Sequence, residues 1–167
     1  MVYTGVKDDK RALNISVTTS RTRQVAGVTT RVVEDRLYLN NVLEERTSDY
    51  YAQDRCGNVW YFGEDTTTLD ANGKVISTDG TFHAGVEGAQ PGVYMQARPE
   101  LGRRFRQEWY AGQAEDTFKV IDLSASIRVP YGPSGTPCIP RSAPIWSPQW
   151  WTPSPTWPAS ARSLRVR

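Results

Sequence analysis

Asn14-Ile15-Ser16-Val17-Thr18-Thr19-Ser20-Arg21-Thr22-Arg23-Gln24-Val25, followed by Ala26-Gly27 and then by Val28–Leu39, is the stretch whose reading decides the fold class. Ile15, Val17 and Thr19 fall on one side of an extended chain, and Ser16, Thr18 and Ser20 fall on the other. That two-residue period, with so many β-branched side chains, predicts a half-buried strand. Ala26-Gly27 is a two-residue reversal, and Asn40-Asn41 is another, because asparagine tolerates the positive φ of tight hairpin loops.

The same rhythm runs outward in both directions. Val2–Val6 precedes the polar turn Lys7-Asp8-Asp9-Lys10. Val42–Asp54 leads through Arg55-Cys56-Gly57-Asn58 into Val59-Trp60-Tyr61-Phe62, and Asp70-Ala71-Asn72-Gly73 separates Thr66–Leu69 from Lys74–Thr78. Reversals this frequent leave no room for crossover helices, so the strands must be sequential and antiparallel. The expectation is an all-β meander, a curved sheet or lipocalin-like half-barrel with one wet face. Gly85–Val93 reads as an ordered loop, Arg104–Tyr110, Thr117–Leu123 and Ser126–Val129 as the last strands, and Ala111–Leu123 is ambiguous between strand and helix.

At Pro130 the chemistry changes. Residues 131–167 hold eight of the eleven prolines and four of the six tryptophans, with no Asp, Glu or Lys. The division expected is an antiparallel β domain over 2–130 and a non-native or disordered Pro/Trp-rich tail over 131–167. A Pro-rich linker is one account of the tail, although exposed tryptophans in such number are an aggregation liability. A frameshift near Gly132 is the other. Shifted by one base with GC-rich codons, Ser134 onward can be read as Val-Arg-Asp-Ala-Leu-Tyr-Thr-Lys-Glu, and later as Val-Val-Asp-Ala-Glu-Ser-Tyr-Val, which alternates like the body. At the other end, Met1–Val6 already reads as strand, so the expectation is that Met1 lies inside a longer ancestral sequence.

Charge and motif content exclude several function classes. Residues 1–130 carry 16 Lys and Arg against all 18 Asp and Glu, interleaved, and the other four arginines lie in the tail. A polyanion-binding surface needs clustered cations; Arg103-Arg104-Phe105-Arg106 with Trp109 and Tyr110 is balanced by Glu100, Glu108, Glu115 and Asp116, so no nucleic acid is expected. No run is long and apolar enough for a membrane span. His83 is the only histidine, which removes His-based triads and multi-His metal sites. Cys56 and Cys138 make neither a disulfide framework nor a metal site. Asp70-Ala71-Asn72-Gly73 begins like a calcium loop, but Lys74 stands where a ligand belongs. No cofactor or metal is expected.

Two candidate sites remain. The aromatic residues Trp60, Phe62, Tyr94 and Trp109 would line a cavity for an apolar ligand on the concave side of a curled sheet, or else fill the core. Alternation puts Trp60 and Phe62 together and Tyr61 opposite. The carboxylates Glu64, Glu87, Glu108 and Glu115 would serve a glycosidase-like hydrolase if two of them met in a cleft, or else decorate solvated strands. The first site favours a non-enzymatic β-domain that binds a small apolar ligand or a protein partner. The hydrolase and the non-functional product of a decayed gene are the alternatives. An open sheet edge would add self-association.

Gly57-Asn58-Val59-Trp60-Tyr61-Phe62-Gly63-Glu64-Asp65-Thr66, Gly85-Val86-Glu87-Gly88-Ala89-Gln90-Pro91-Gly92 and Phe105-Arg106-Gln107-Glu108-Trp109-Tyr110-Ala111-Gly112-Gln113-Ala114-Glu115-Asp116 together resemble an uncharacterised bacterial family of secreted or envelope-associated β-proteins. The resemblance covers nearly all of 2–132 and implies export, an additional opening strand, and a continuation similar to the shifted reading. It implies no catalytic residues. Sequencing the gene across the Gly132 codon should reveal a frame change; an intact frame shared by independent isolates would contradict it.

Overall fold

The computed structural model describes residues 1–124 and the backbone of 145–148. Five strands come first along the chain, the last four of them long: β1 (Val2–Lys7), β2 (Lys10–Val25), β3 (Val28–Leu39), β4 (Val42–Gln53) and β5 (Val59–Leu69). Each pairs antiparallel with the next. The first three reversals are two-residue turns at Asp8-Asp9, Ala26-Gly27 and Asn40-Asn41. All six residues have φ between 49° and 77°, the left-handed pair that matches the twist of a hairpin. Asp70 makes the last predicted turn, its Oδ1 accepting the amides of Asn72 and Lys74 at 2.9 Å.

Shorter strands complete the molecule: β6 (Val75–Ser77), β7 (Phe82–His83), β8 (Gln90–Met95), β9 (Arg104–Arg106), β10 (Glu108–Trp109), β11 (Thr117–Asp122) and β12 (Ile145–Pro148). A nine-stranded sheet runs β1-β2-β3-β4-β5-β8-β10, with β6 and β7 also on β5, and a three-stranded sheet runs β12-β11-β9. The fold is the expected antiparallel meander, and it does not close into a barrel. Among the described residues there is no helix, hence none long and apolar enough to cross a membrane. The ambiguous segment Ala111–Leu123 resolves as turn and strand. The loop expected over Gly85–Val93 ends at Ala89, with β8 starting at Gln90, and the strand expected over Arg104–Tyr110 is interrupted at Gln107. Of the proline-rich segment, Ile145–Pro148 lies beside β11; the rest of it, with Ser126–Val129, lies outside the described residues.

Two glycines set the geometry that matters. Between β4 and β5 the register runs Tyr51 to Tyr61 and then Asp49 to Glu64, so Phe62 and Gly63 together oppose Tyr50. This β-bulge inserts one residue and re-aims everything after it. Gly63 has φ 120°, and a Cβ there would lie 2.1 Å from the Phe82 carbonyl oxygen of β7. At Gly92 a Cβ would lie 2.2 Å from the backbone of Gln107; its absence lets the β9–β10 segment cross directly over β8.

The apolar clusters divide accordingly. Val25, Val32, Tyr50, Phe62 and Ala84 pack on one face of the large sheet with Trp60 and Ala52 against them. Tyr61, Phe82 and Ala89 pack on the other with Tyr51, Tyr110 and Ala114. A third cluster joins Ala12, Leu37 and Leu39. On the Tyr61 face the small sheet approaches through Phe118, whose ring lies 6.4 Å from that of Tyr94 and 5.8 Å from that of Phe105.

Replacing Gly63 by alanine combines a disfavoured φ with a backbone collision, so Gly63→Ala is expected to cost about 3 kcal/mol or more. Urea denaturation measures it; a loss below about 1 kcal/mol would contradict the role given to the bulge.

Candidate functional site: an acid–tyrosine face

The bulge has a chemical consequence. Strict alternation would put Glu64 on the side of Trp60 and Phe62. The extra residue carries it to the Tyr61 side, directly across from Asp49. There the Tyr61 hydroxyl lies 2.9 Å from Asp49 Oδ1 and 3.0 Å from Glu64 Oε2. A phenol has one proton to donate, so it donates to one carboxylate and accepts from the other, protonated, carboxyl. Tyr61 is 3% exposed and cannot turn to water instead.

Tyrosine rings wall this pair. Tyr51 lies 5.0 Å from Tyr61 and 4.9 Å from Tyr94, centroid to centroid, and Tyr61 lies 6.2 Å from Tyr94. These are ordinary aromatic contacts, and Tyr94 keeps 37% of its surface exposed at the border of the group. Burial raises all three phenols, the Asp49 charge raises each further, and the Glu64 charge adds to Tyr51 and Tyr61, so they stay neutral donors.

More carboxyls belong to the same face. Register places Glu45, Thr47, Asp49 and Tyr51 of β4 beside Leu37, Asp35, Val33 and Arg31 of β3. Thr47 and Thr66 satisfy each other at 2.8 Å. Asn14 donates to Asp35. Burial pushes Glu64 up to about 8, with the charges of Asp49 and Glu108 adding to it. Burial likewise pushes Glu108 up to about 8, reinforced by the neighbouring Asp116 charge. Asp49 rises to about 6, burial outweighing its bond from Tyr61. Burial also raises Asp35, Glu45 and Asp116. A side-chain hydrogen bond between Glu108 and Asp116 pushes Glu108 further up and works against the burial that raises Asp116. Among the described residues, none of Asp49, Glu64, Glu108 and Asp116 is in an ion pair with Lys or Arg, and no group of three or more His, Cys, Asp or Glu is placed to hold a metal ion.

The residues expected from sequence fare unequally. Glu64 and Glu108 meet on this face. Glu87 is exposed and accepts from the Tyr110 hydroxyl, and Glu115 caps the Gly112 amide at 2.8 Å; neither belongs to the group. The four aromatic residues do not converge. Trp60 and Phe62 pack into the opposite core, and the Trp60 indole donates to Asp54 at 2.9 Å. Tyr94 stands on the acid side. Trp109 lies under the Arg106 guanidinium, 3.9 Å from its ring centroid. Alternation did separate Trp60 and Phe62 from Tyr61. Asp49, Tyr51 and Tyr61 went unsingled in the sequence because only the bulge joins them to Glu64.

Elsewhere, His83 Nε2 sits 2.8 Å from Asp65 Oδ1, and Asp65 also accepts from Tyr50 at 2.5 Å and from Arg23. Burial opposes the Asp65 charge, but these bonds and the Arg23 charge hold its carboxyl below its ordinary value. Arg23 stacks 4.8 Å over the Tyr50 ring. The four side chains satisfy one another and brace β2, β4, β5 and β7. A hollow of about 320 Å³ lies near the turns that follow β3 and β5, lined by Lys10, Leu39, Val42, Glu44, Leu69 and Asp70, away from the acid–tyrosine face. Cys56 is exposed and free; Cys138 lies outside the described residues.

Glu64 and Glu108 bind protons more tightly in the folded chain than at the ordinary value of 4.5. The stability this contributes is therefore complete below that value and is lost as pH rises through about 8. Denaturation midpoints should fall between about pH 5 and pH 8.5, by at most about 1.4 kcal/mol per pH unit for each carboxyl, and Glu64→Gln should flatten the slope. A midpoint that rises over that interval would contradict the assignment.

No protein-family model, no curated protein and no solved structure matches the chain.

Proposed function

We propose that the chain is a non-enzymatic binding domain, of bacterial envelope or extracellular type, whose ligand is held on the acid–tyrosine face. The observation that carries this reading is the pair of carboxyls, Asp49 and Glu64, sharing the Tyr61 hydroxyl beside Tyr51 and Tyr94, with no cation paired to them among the described residues. Such a set is electrostatically incomplete. Half-buried carboxyls without a counter-charge either hold protons or take a cation from outside. Tyrosine faces add attraction for an organic cation. The ligand class that fits is an ammonium or guanidinium group. This departs from an apolar ligand, because Trp60 and Phe62 are used by the protein's own core.

A hydrolase is the second reading. Asp49 and Glu64 titrate apart, near 6 and near 8, a pattern shared by acid–base pairs. In a glycosidase, however, the space between the two carboxyls receives the sugar. Here the buried Tyr61 hydroxyl fills it. The geometry therefore favours binding.

Isothermal titration with tetramethylammonium, putrescine and arginine amide distinguishes the two. Saturable binding is expected, weakened by salt. It should strengthen as pH rises from about 6 to about 9, by up to tenfold per unit for each carboxyl that must deprotonate. The double variant Asp49→Asn/Glu64→Gln should abolish it. Absence of binding to all three probes at about pH 9 would contradict the proposal, as would turnover of aryl glycosides that Glu64→Gln removes.

A further inference from the structure

We infer that the outer edge of β1 is a self-complementary docking strand, and that its partner is a second copy of this chain paired antiparallel about Thr4. The inference is independent of the acid–tyrosine face. Strand β1 is the end of the nine-stranded sheet, and only β2 pairs with it among the described residues. Ser16 donates its amide to the Met1 carbonyl at 2.9 Å, and the Met1 ammonium donates back to the Ser16 carbonyl. In an antiparallel ladder such doubly bonded pairs alternate with unbonded ones. Tyr3, Gly5 and Lys7 therefore bond inward to Asn14, Ala12 and Lys10, their register partners. The N–H and C=O groups of Val2, Thr4 and Val6 point away from β2, toward the open edge.

A two-fold axis through Thr4, perpendicular to the sheet, satisfies all of these groups at once. It sets Thr4 opposite Thr4 of the second copy and Val2 opposite Val6, and each of these pairs closes two backbone hydrogen bonds. It sets Tyr3 opposite Gly5, so that a ring covers the missing side chain, a favourable cross-strand pairing. Residues of one face stay on one face, as the pleat requires. The side chains concerned are available: Val2 is 64% exposed, Val6 57% and Tyr3 44%. Lys7 falls opposite Met1 of the second copy. Natural edges are usually guarded by proline, bulges or inward charge. Val2-Tyr3-Thr4-Gly5-Val6 has no proline, charge or bulge.

Sedimentation velocity of the full chain over a range of concentrations tests this. Concentration-dependent dimer formation is expected. Thr4→Pro removes an outward amide without touching the β1–β2 ladder and should weaken association at least tenfold. Val2→Lys/Val6→Lys, which sets lysines opposite each other, should do the same, keeping the test open if the proline variant misfolds. In a Cys56→Ser/Cys138→Ser background, Thr4→Cys should oxidise to a disulfide-linked dimer and the exposed Val17→Cys should not. A monomer at every concentration would overturn the inference, including one whose Val2, Thr4 and Val6 amides are shielded from exchange by another segment of the chain. So would a dimer indifferent to both edge variants, or equal cross-linking from both cysteines.

Discussion

A single inserted residue in β5 organises the chemistry of this molecule. Without the bulge at Phe62-Gly63, Glu64 would stand on the side of Trp60 and Phe62, away from Asp49 and the Tyr61 hydroxyl. With it, Glu64 faces Asp49 across the ladder, and one phenol serves both carboxyls. The bulge is pinned from the other side as well, since the Ala84 amide bonds the Phe62 carbonyl at 2.9 Å and β7 leaves no room for a Cβ at Gly63. The carboxyl pair and the β5–β7 packing are thus one structural event seen from two faces.

The energetic character of the two faces differs for the same reason. On the Trp60 side, Asp65 collects donors from Arg23, Tyr50 and His83, and the charge is locally compensated. On the Tyr61 side, acids accumulate from β3, β4, β5, β10 and the turn before β11; phenols surround Asp49 and Glu64, while the N-terminal ammonium and Lys7 act on Asp35 and Glu45. Like charges at such proximity in a partly desolvated layer cannot all ionise. The cost is met by holding protons, which makes that face the part of the fold most responsive to pH.

Much of this was legible in the sequence. The turn residues Asp8-Asp9, Ala26-Gly27, Asn40-Asn41 and Asp70-Gly73 mark the reversals where they occur, because local φ preferences act before any tertiary contact. Period-two alternation separates Trp60 from Tyr61. What could not be read depends on contacts between distant segments. The bulge moves Glu64 across the sheet, Gly92 admits the backbone of Gln107 and so splits the strand expected over Arg104–Tyr110, and Asp49 becomes a site residue only through that altered register. Glu87 and Glu115 looked equivalent to Glu64 and Glu108 because composition says nothing of which side a carboxyl faces once alternation is broken.

Carbon-detected NMR titration of the side-chain carboxyls examines the arrangement at its centre. Two separated transitions are expected, Asp49 near 6 and Glu64 near 8, each felt at the Tyr61 ring carbon that bears the hydroxyl. Ordinary titration of both groups near 4, with the Tyr61 ring silent, would mean that the two carboxyls do not share the phenol and that the bulge does not bring them together.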